Sequence, residues 1–531
     1  MKNNKGITLI ALVITIIVML ILVGVVITVA IRGDLFSTAR KAVADTKNER
    51  DKELNINSYI EELIDRKVRG ITTVYAILYK DGELEFNTTG TEQEGKEVVS
   101  KTGDISRTVF EKRTEVPWHE NASTITTVNI TKEIAPKSTQ RWFYGLTGLT
   151  EIKGIENLCT SNVTTMQCMF YNCSSLENIN VSGFVTDNVT DMGWMFYGCS
   201  ALTNVNVSGF NTENVTNMKS MFCGCSTITE LNVSNFNTGK VTNMAWMFDT
   251  CNKLANIDVS GFVTDNVTDM SGMFYGCTGL ENLDVSNFDT SKVTTLYAMF
   301  YDCRKVKTLD VANWDTGNVK DMSWMFQYCT SVTKLSVENW KTNKVEDFTH
   351  MFWQCEKVTE LNLSKWDTSS ATNMNSMFAR CYGLTKIDVS NFNTSKVEDM
   401  VWMFRMCSSL SKLDISNFDT SNCLYFYWMF EGCSNLEELN FGNTNTSKVE
   451  SYHGMFNGCT KIKTTITIDA KALEGVKIDE DHGYAQMLSG AATAEGAQIT
   501  IRYKASQKGI IDEMVKTKSA SSNIVLEEIA K

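Results

Sequence analysis

Sixteen cysteines are the first residues that invite a chemical reading. Twelve of them, from Cys173 and Cys199 through Cys433 to Cys459, recur every 26 residues, while Cys159, Cys168, Cys223 and Cys423 fall outside that register. A cysteine-rich extracellular chain suggests disulfides. Cysteines in one register point their Cβ atoms the same way, which is poor geometry for the ~90° disulfide torsion. A column of small buried thiols is therefore predicted. Cys223-Gly224-Cys225 does not have a metal-ligand spacing. None of His119, His350, His453 and His482 stands in a zinc-protease or other catalytic spacing. There is no glycine-rich phosphate loop and no nucleophile elbow. The repeated carboxylates Asp258, Asp284 and Asp310 lie between inward-facing strand residues, so they are expected at a solvated face without calcium. No catalytic residue, metal ligand or cofactor site is predicted, and an enzyme is the least favoured class.

The elements behind these residues are set by the repeat. Met-Phe pairs begin at Met169, Met195, Met221 and every 26 residues thereafter to Met455, twelve units without an insertion. An unbroken period of this length indicates a solenoid, because each coil must stack on the last. Leu202-x-x-Val205-x-Val207 has leucine-rich-repeat spacing and predicts a short strand. Phe210 follows at a turn, where other units carry Trp314, Trp340 and Trp366. Thr212 and its equivalents from Thr186 to Thr446 are expected to close that turn on the backbone. Val215, Met218, Met221, Phe222 and Cys225 are spaced as one face of a short helix or helical turn. The fold class is thus a repeat solenoid with terminal caps: one short β-strand plus a turn or short helix per coil, over residues 142–464.

Strings such as Leu283-Asp284-Val285-Ser286-Asn287-Phe288-Asp289-Thr290, followed by Met299-Phe300-Tyr301-Asp302-Cys303, strongly resemble the BspA-like leucine-rich-repeat surface proteins. The resemblance runs from about Trp142, where Trp142-Phe143-Tyr144-Gly145 forms a degenerate first unit, to Ile462. It implies a bacterial surface protein with a role in adhesion to host or matrix components.

On a helical turn with Met192, Met195 and Phe196 inside, residue 194 would face out at ~100° per residue. Trp194 is there, and equivalent positions hold Trp246, Trp324, Trp402 and Trp428. Tyr197, Tyr275, Tyr301 and Trp353 share a second outward position. An aromatic band along this side could stack on sugars or anchor a protein. The other positions of the tryptophan column vary down to Gly272, which suggests freedom from packing.

A bare solenoid end exposes core and strand edges, so caps are required. Residues 70–141 supply a β-rich one, with a hairpin signal at Val74–Tyr79 and Glu83–Phe86 around Lys80-Asp81-Gly82. Residues 465–531 predict a mixed cap of strands near Thr465–Ile468 and Gln498–Tyr503 and a helix over Ile510–Lys516. Upstream, Ile7 to Ile31 is an uninterrupted apolar run behind Lys2 and Lys5. As a helix of ~1.5 Å rise per residue it spans the ~30 Å hydrocarbon core with tilt. Residues 32–69 read as a helical stalk. With no sortase-type motif or hydrophobic tail, anchoring is expected to rest on residues 7–31. Lys5-Gly6-Ile7-Thr8-Leu9-Ile10-Ala11-Leu12 also resembles the start of type IV pilin-like proteins, which implies a leader of residues 1–6 cut between Gly6 and Ile7. The family usually places Glu where this chain has Ala11.

The net charge of -12 excludes the basic footprint of a nucleic-acid binder. The expected protein is a single-pass membrane protein with extracellular repeats that bind a protein or carbohydrate. The alternatives are a minor pilin-like filament subunit and, more remotely, an ice-binding solenoid built on the threonine column. Protease added to sealed cells should release the repeats, and N-terminal sequencing of the native protein should start at Ile7. Protected repeats would refute the topology, and a chain starting at Met1 or Lys2 would refute the processing.

Overall fold

The computed structural model describes residues 64–65, 67, 69–442, 444–474 and 483–530. The apolar run 7–31, the leader junction Gly6–Ile7, most of the stalk and His482 lie outside the described residues. Two compact units are present, residues 1–71 and 72–531, and the second carries the repeats.

The second unit begins with a five-stranded sheet. β1 (Tyr75–Tyr79) and β2 (Glu83–Asn87) pair antiparallel around the Lys80–Gly82 turn, and β3 (Val98–Lys101) lies on the other side of β1. β4 (Thr127–Ile130) and β5 (Glu151–Lys153) add in parallel to β2, which sets the strand direction of the solenoid. Phe86 closes the core beneath them, stacked on Trp142 at 5.0 Å and met edge-on by Trp118 at 5.5 Å.

Each coil then has a strand side and a turn side. On the strand side Leu202, Val205 and Val207 are buried, as the two-residue period requires. Regular pairing is short: β6 (Asn178–Ile179) with β7 (Asn204–Val205), and later β8 (Glu360–Asn362) with β9 (Lys386–Asp388). Between these pairs only isolated bridges such as Asn256↔Asn282 occur among the described residues. β10 (Lys412–Asp414), β11 (Glu438–Asn440), β12 (Lys463–Thr467), β13 (Gln498–Lys504) and β14 (Ile524–Ile529) form the C-terminal parallel sheet, with helix α1 (Lys508–Val515) beside β13.

The turn side corrects the helical expectation: no α-helix occurs in the described coils. Met195, Tyr197 and Cys199 donate their amides to the carbonyls of Met192, Trp194 and Phe196, each at 3.2 Å, as successive tight turns. The alternate amides of Met192, Trp194, Phe196 and Gly198 donate to Asn217, Lys219, Met221 and Cys223 of the next coil at 2.7–3.0 Å. This alternation needs left-handed backbone at residues 194 and 198, with φ of +56° and +69°. The same pair recurs throughout, for example at Trp246 and Thr250, Trp324 and Tyr328, and Trp402 and Met406. We call this segment the ribbon. It starts at an unbroken column of bridges from Thr165↔Asp191 to Ser451↔Gly483.

Two side-chain columns bind coil to coil. Each repeat cysteine donates its thiol to the carbonyl of a Phe in the preceding coil, from Cys173 on Phe143 to Cys459 on Phe430, at 3.0–3.3 Å. The thiols are buried and unpaired by disulfides, and burial pushes the Cys199 thiol up to about 12. The threonine column does not close its own turn. Thr186 Oγ1 donates to the carbonyl of Asn211 in the next coil at 2.9 Å and accepts that residue's amide at 2.8 Å. Its equivalents from Thr160 to Thr446 repeat the bond to the next coil.

Ring spacing changes across the coil. The Phe288–Trp314–Trp340–Trp366–Phe392–Phe418 ladder near the strand side repeats at 6.2–6.5 Å. The Phe ladder behind the ribbon repeats at 5.2–6.0 Å. Outer tyrosine pairs such as Tyr171–Tyr197 and Tyr275–Tyr301 stand 4.3–4.5 Å apart. The rings stack most closely on the ribbon side, where the backbone bonds are densest. Alkylation in denaturant without reductant should label the repeat cysteines, and alkylation of the native protein should spare them. Disulfide-linked peptides from adjacent coils would contradict this column.

Candidate functional site

The ribbon face carries the aromatic band. Trp194, Trp246, Trp324, Trp402 and Trp428 are all half-buried, and each occupies the third position of a tight turn with positive φ. The turn geometry, not a helical wheel, puts them at the surface.

The variation along the tryptophan column follows packing. A Cβ on Gly272 would lie 2.3 Å from the Trp246 ring, and one on Gly454 would lie 2.5 Å from the Trp428 ring. These two rings lean over the following coil, which has glycine there, whereas Trp324 is followed by His350 and Trp402 by Trp428. This overturns the expectation that the volume change marks freedom from packing.

The rings form a connected series. Trp246 meets Tyr275 at 5.5 Å and Tyr297 at 6.1 Å, and Trp324 meets Tyr297 at 6.2 Å and Tyr301 at 5.8 Å. His350 lies 5.4 Å from Trp324 and 4.2 Å from Trp353, and Trp353 meets Trp402 edge to face at 5.9 Å. The protein's own cations cover the ends of the band: Lys219 sits 5.7 Å from Trp194, and Arg405 lies 5.0 Å from Trp402 and 5.9 Å from Trp428. Arg405 is also paired with Glu431 at 2.7 Å.

Polar groups along the ribbon are tuned by burial. His350 is lowered to about 4, chiefly by desolvation and only partly opposed by Asp347, so it is neutral at physiological pH. Asp321 is raised by burial, with Asp347 adding repulsion. Gln327 Oε1, Thr349 Oγ1, His350 Nδ1, Trp353 Nε1, Arg380 Nε and Trp402 Nε1 are buried without a hydrogen-bond partner. Sequence reasoning missed this set, since nothing in the residue types distinguishes a satisfied indole from an orphaned one.

The other sequence candidates resolve differently. Asp258 and Asp284 are exposed but accept the amide and hydroxyl of Ser260 and Ser286, which lowers their carboxyls. They cap turns. Cys223 donates to Asp249 Oδ2 at 3.1 Å while Cys225 donates to Phe196, so the Cys-Gly-Cys pair diverges. No group of three metal-ligating side chains occurs among the described residues. Asn188, Asn214 and Asn266, each the first residue of an Asn-Val-Thr glycosylation-type sequence, spend their amides on carbonyls of the preceding coil. A cavity of about 480 Å³ near the N-terminal cap, lined by Arg113, His119, Glu120, Tyr144, Tyr171 and Asn172, was not foreseen.

This geometry defines a repeat solenoid of leucine-rich-repeat type, with an aromatic band along one face. The chain belongs to the family described as "Mycoplasma protein of unknown function, DUF285", which matches residues 137–257, 242–361 and 353–470. No curated protein matches. Among solved structures the chain is similar to a leucine-rich repeat protein from Eubacterium ventriosum, at 16% identity and a TM-score of 0.32, over 74% of this chain and 88% of that one. It is also similar to TLR13 in a TLR13–ssRNA13 complex, at 16% identity and a TM-score of 0.22, over 66% of this chain and 48% of that one. With scores this low, the fold assignment rests on the coils themselves.

Gly272→Ala should destabilise the protein by about 1–3 kcal/mol, through the ring clash and the positive φ. Trp246→Ala should relieve the clash, so the two changes should couple in denaturation measurements. Additive effects would show that the Trp246 ring does not lean on Gly272.

Proposed function

We propose that this chain is a membrane-anchored bacterial surface protein that binds its partner through the ribbon face of the solenoid and serves adhesion rather than catalysis. The observation that carries the reading is the connected aromatic band from Trp246 to Trp402, half-exposed on a rigid scaffold. Large aromatic rings held by their backbone lose little entropy on contact, which makes them efficient anchors. Coils fixed to one another also let several rungs act together, so weak contacts add. The resemblance to BspA-like surface proteins and the apolar run from Ile7 to Ile31 support display outside the cell with the N-terminus as anchor.

The pilin-like alternative rests on residues 5–12 alone. The ice-binding alternative loses its basis, because the column from Thr186 to Thr446 is buried and spends its hydroxyls between coils. A second row, Thr190 to Thr294, is exposed but donates to the preceding coil and gives way to Lys320 and Glu346.

Cells displaying the protein with Trp324, Trp402 and Trp428 all changed to Ser should lose adhesion at least tenfold. The half-buried rings predict a lowered melting temperature with folding retained at the assay temperature. Unchanged adhesion would remove the ribbon face from the binding function.

A further inference from the structure

The band is not uniform. Its stretch from Trp324 to Trp402 carries the six orphaned polar atoms, on four consecutive coils. Burying such an atom unpaired is costly, and proteins rarely collect several in one place. Here donors and acceptors are mixed. The indoles of Trp353 and Trp402 and the guanidinium of Arg380 can only donate, Gln327 Oε1 can only accept, and Thr349 and neutral His350 can do either. Gln327 is 5% exposed and lies between Tyr301 and Trp353 in its column.

The rings above these atoms supply flat apolar faces. Trp353 and Trp402 meet edge to face across the intervening coil, whose equivalent positions are the small, buried Ser376 and Ala379. Two of the orphaned atoms are the indole nitrogens of Trp353 and Trp402 themselves, and the other four belong to residues of the same four coils. Three coil spacings at ~4.8 Å give the stretch a length of about 14 Å, that of a short oligosaccharide.

Resting on the binding role proposed above, we propose that the stretch from Trp324 to Trp402 is a carbohydrate-binding site that takes two or three sugar rings along the solenoid axis. A sugar matches both halves of the site. Its C–H faces lie on aromatic rings, and each hydroxyl donates and accepts at one atom, as the mixed set requires. A sugar presents such hydroxyls at close, regular intervals along its chain, which suits polar atoms spread over four successive coils. Arg405 is neutralised by Glu431, so Arg380 is the cation placed to meet an acidic sugar.

The test uses the full chain in detergent on an array of immobilised neutral and sialylated oligosaccharides. The native protein should retain at least one of them. Thr349→Val and Trp402→Phe each remove an orphaned group while keeping most of the side-chain shape. Each should weaken binding about fivefold or more, while Thr349→Val leaves the melting temperature unchanged or raised. Preference for sialylated probes would assign Arg380 to the acid, and neutral probes alone would assign the site to uncharged sugars. Sugar binding that both variants leave intact overturns the proposal. So does an empty array from a protein whose cells still adhere, which would point to a protein partner and leave the adhesion reading standing. An empty array with no adhesion removes both.

Discussion

Everything in the repeat depends on one backbone constraint: two left-handed residues, four apart, in every coil. At Trp194 and Gly198 they turn alternate amides outward along the solenoid axis, where they bond the next coil, while the amides between them close tight turns. A non-glycine residue in this conformation costs on the order of 1–2 kcal/mol. The cost is offset because every amide from Met192 to Cys199 is paired, and orphaned amides cost as much or more. The Phe carbonyls show how complete the pairing is. Phe196 O accepts the amide of Cys199 in its own coil and the thiol of Cys225 in the next. Cysteine suits that position because it is small and apolar, with one weak donor.

The ribbon also decides where a surface can form. Strand pairing lapses in the middle of the array, whereas the ribbon bridges run without a break. The most rigid face is therefore the turn face. Tryptophans placed there are held by backbone and by the next coil, as the Trp246–Gly272 contact shows. Half-exposed rings fixed in this way are pre-organised for contact.

Much of this was legible in the residues. The 26-residue period gave the solenoid, and the inward set Leu202, Val205, Val207, Met218, Met221, Phe222 and Cys225 is buried throughout. The hairpin around Lys80–Gly82 was legible from its strand pattern and turn residues. The helix in each coil was not real, and the reason is geometric. Successive tight turns, with bonds from alternate residues to the third before them, return side chains to one face every three or four residues, as a helix does. A signal against the helix was present in Gly198, Gly224, Gly276, Gly432 and Gly458, interleaved with Asn172 and Asp302. Glycine, Asn and Asp are the residues that tolerate left-handed backbone. Its partner column, which runs through Trp, Ser, Ala and His, hides the same conformation because those residues adopt it only under tertiary constraint. The tryptophan column was found from spacing, but the orphaned atoms depend on which carbonyl each indole reaches, and spacing does not encode that.

The ribbon, not the sheet, holds the coils together. Hydrogen exchange of the full chain, read by mass spectrometry on peptides from the central coils, tests it directly. The amides of residues 296–303 and 322–329, on the ribbon, should be the slowest to exchange, and those of residues 307–311 and 333–337, on the strand side, should exchange much faster. Equal protection, or strand amides slower than ribbon amides, would contradict it.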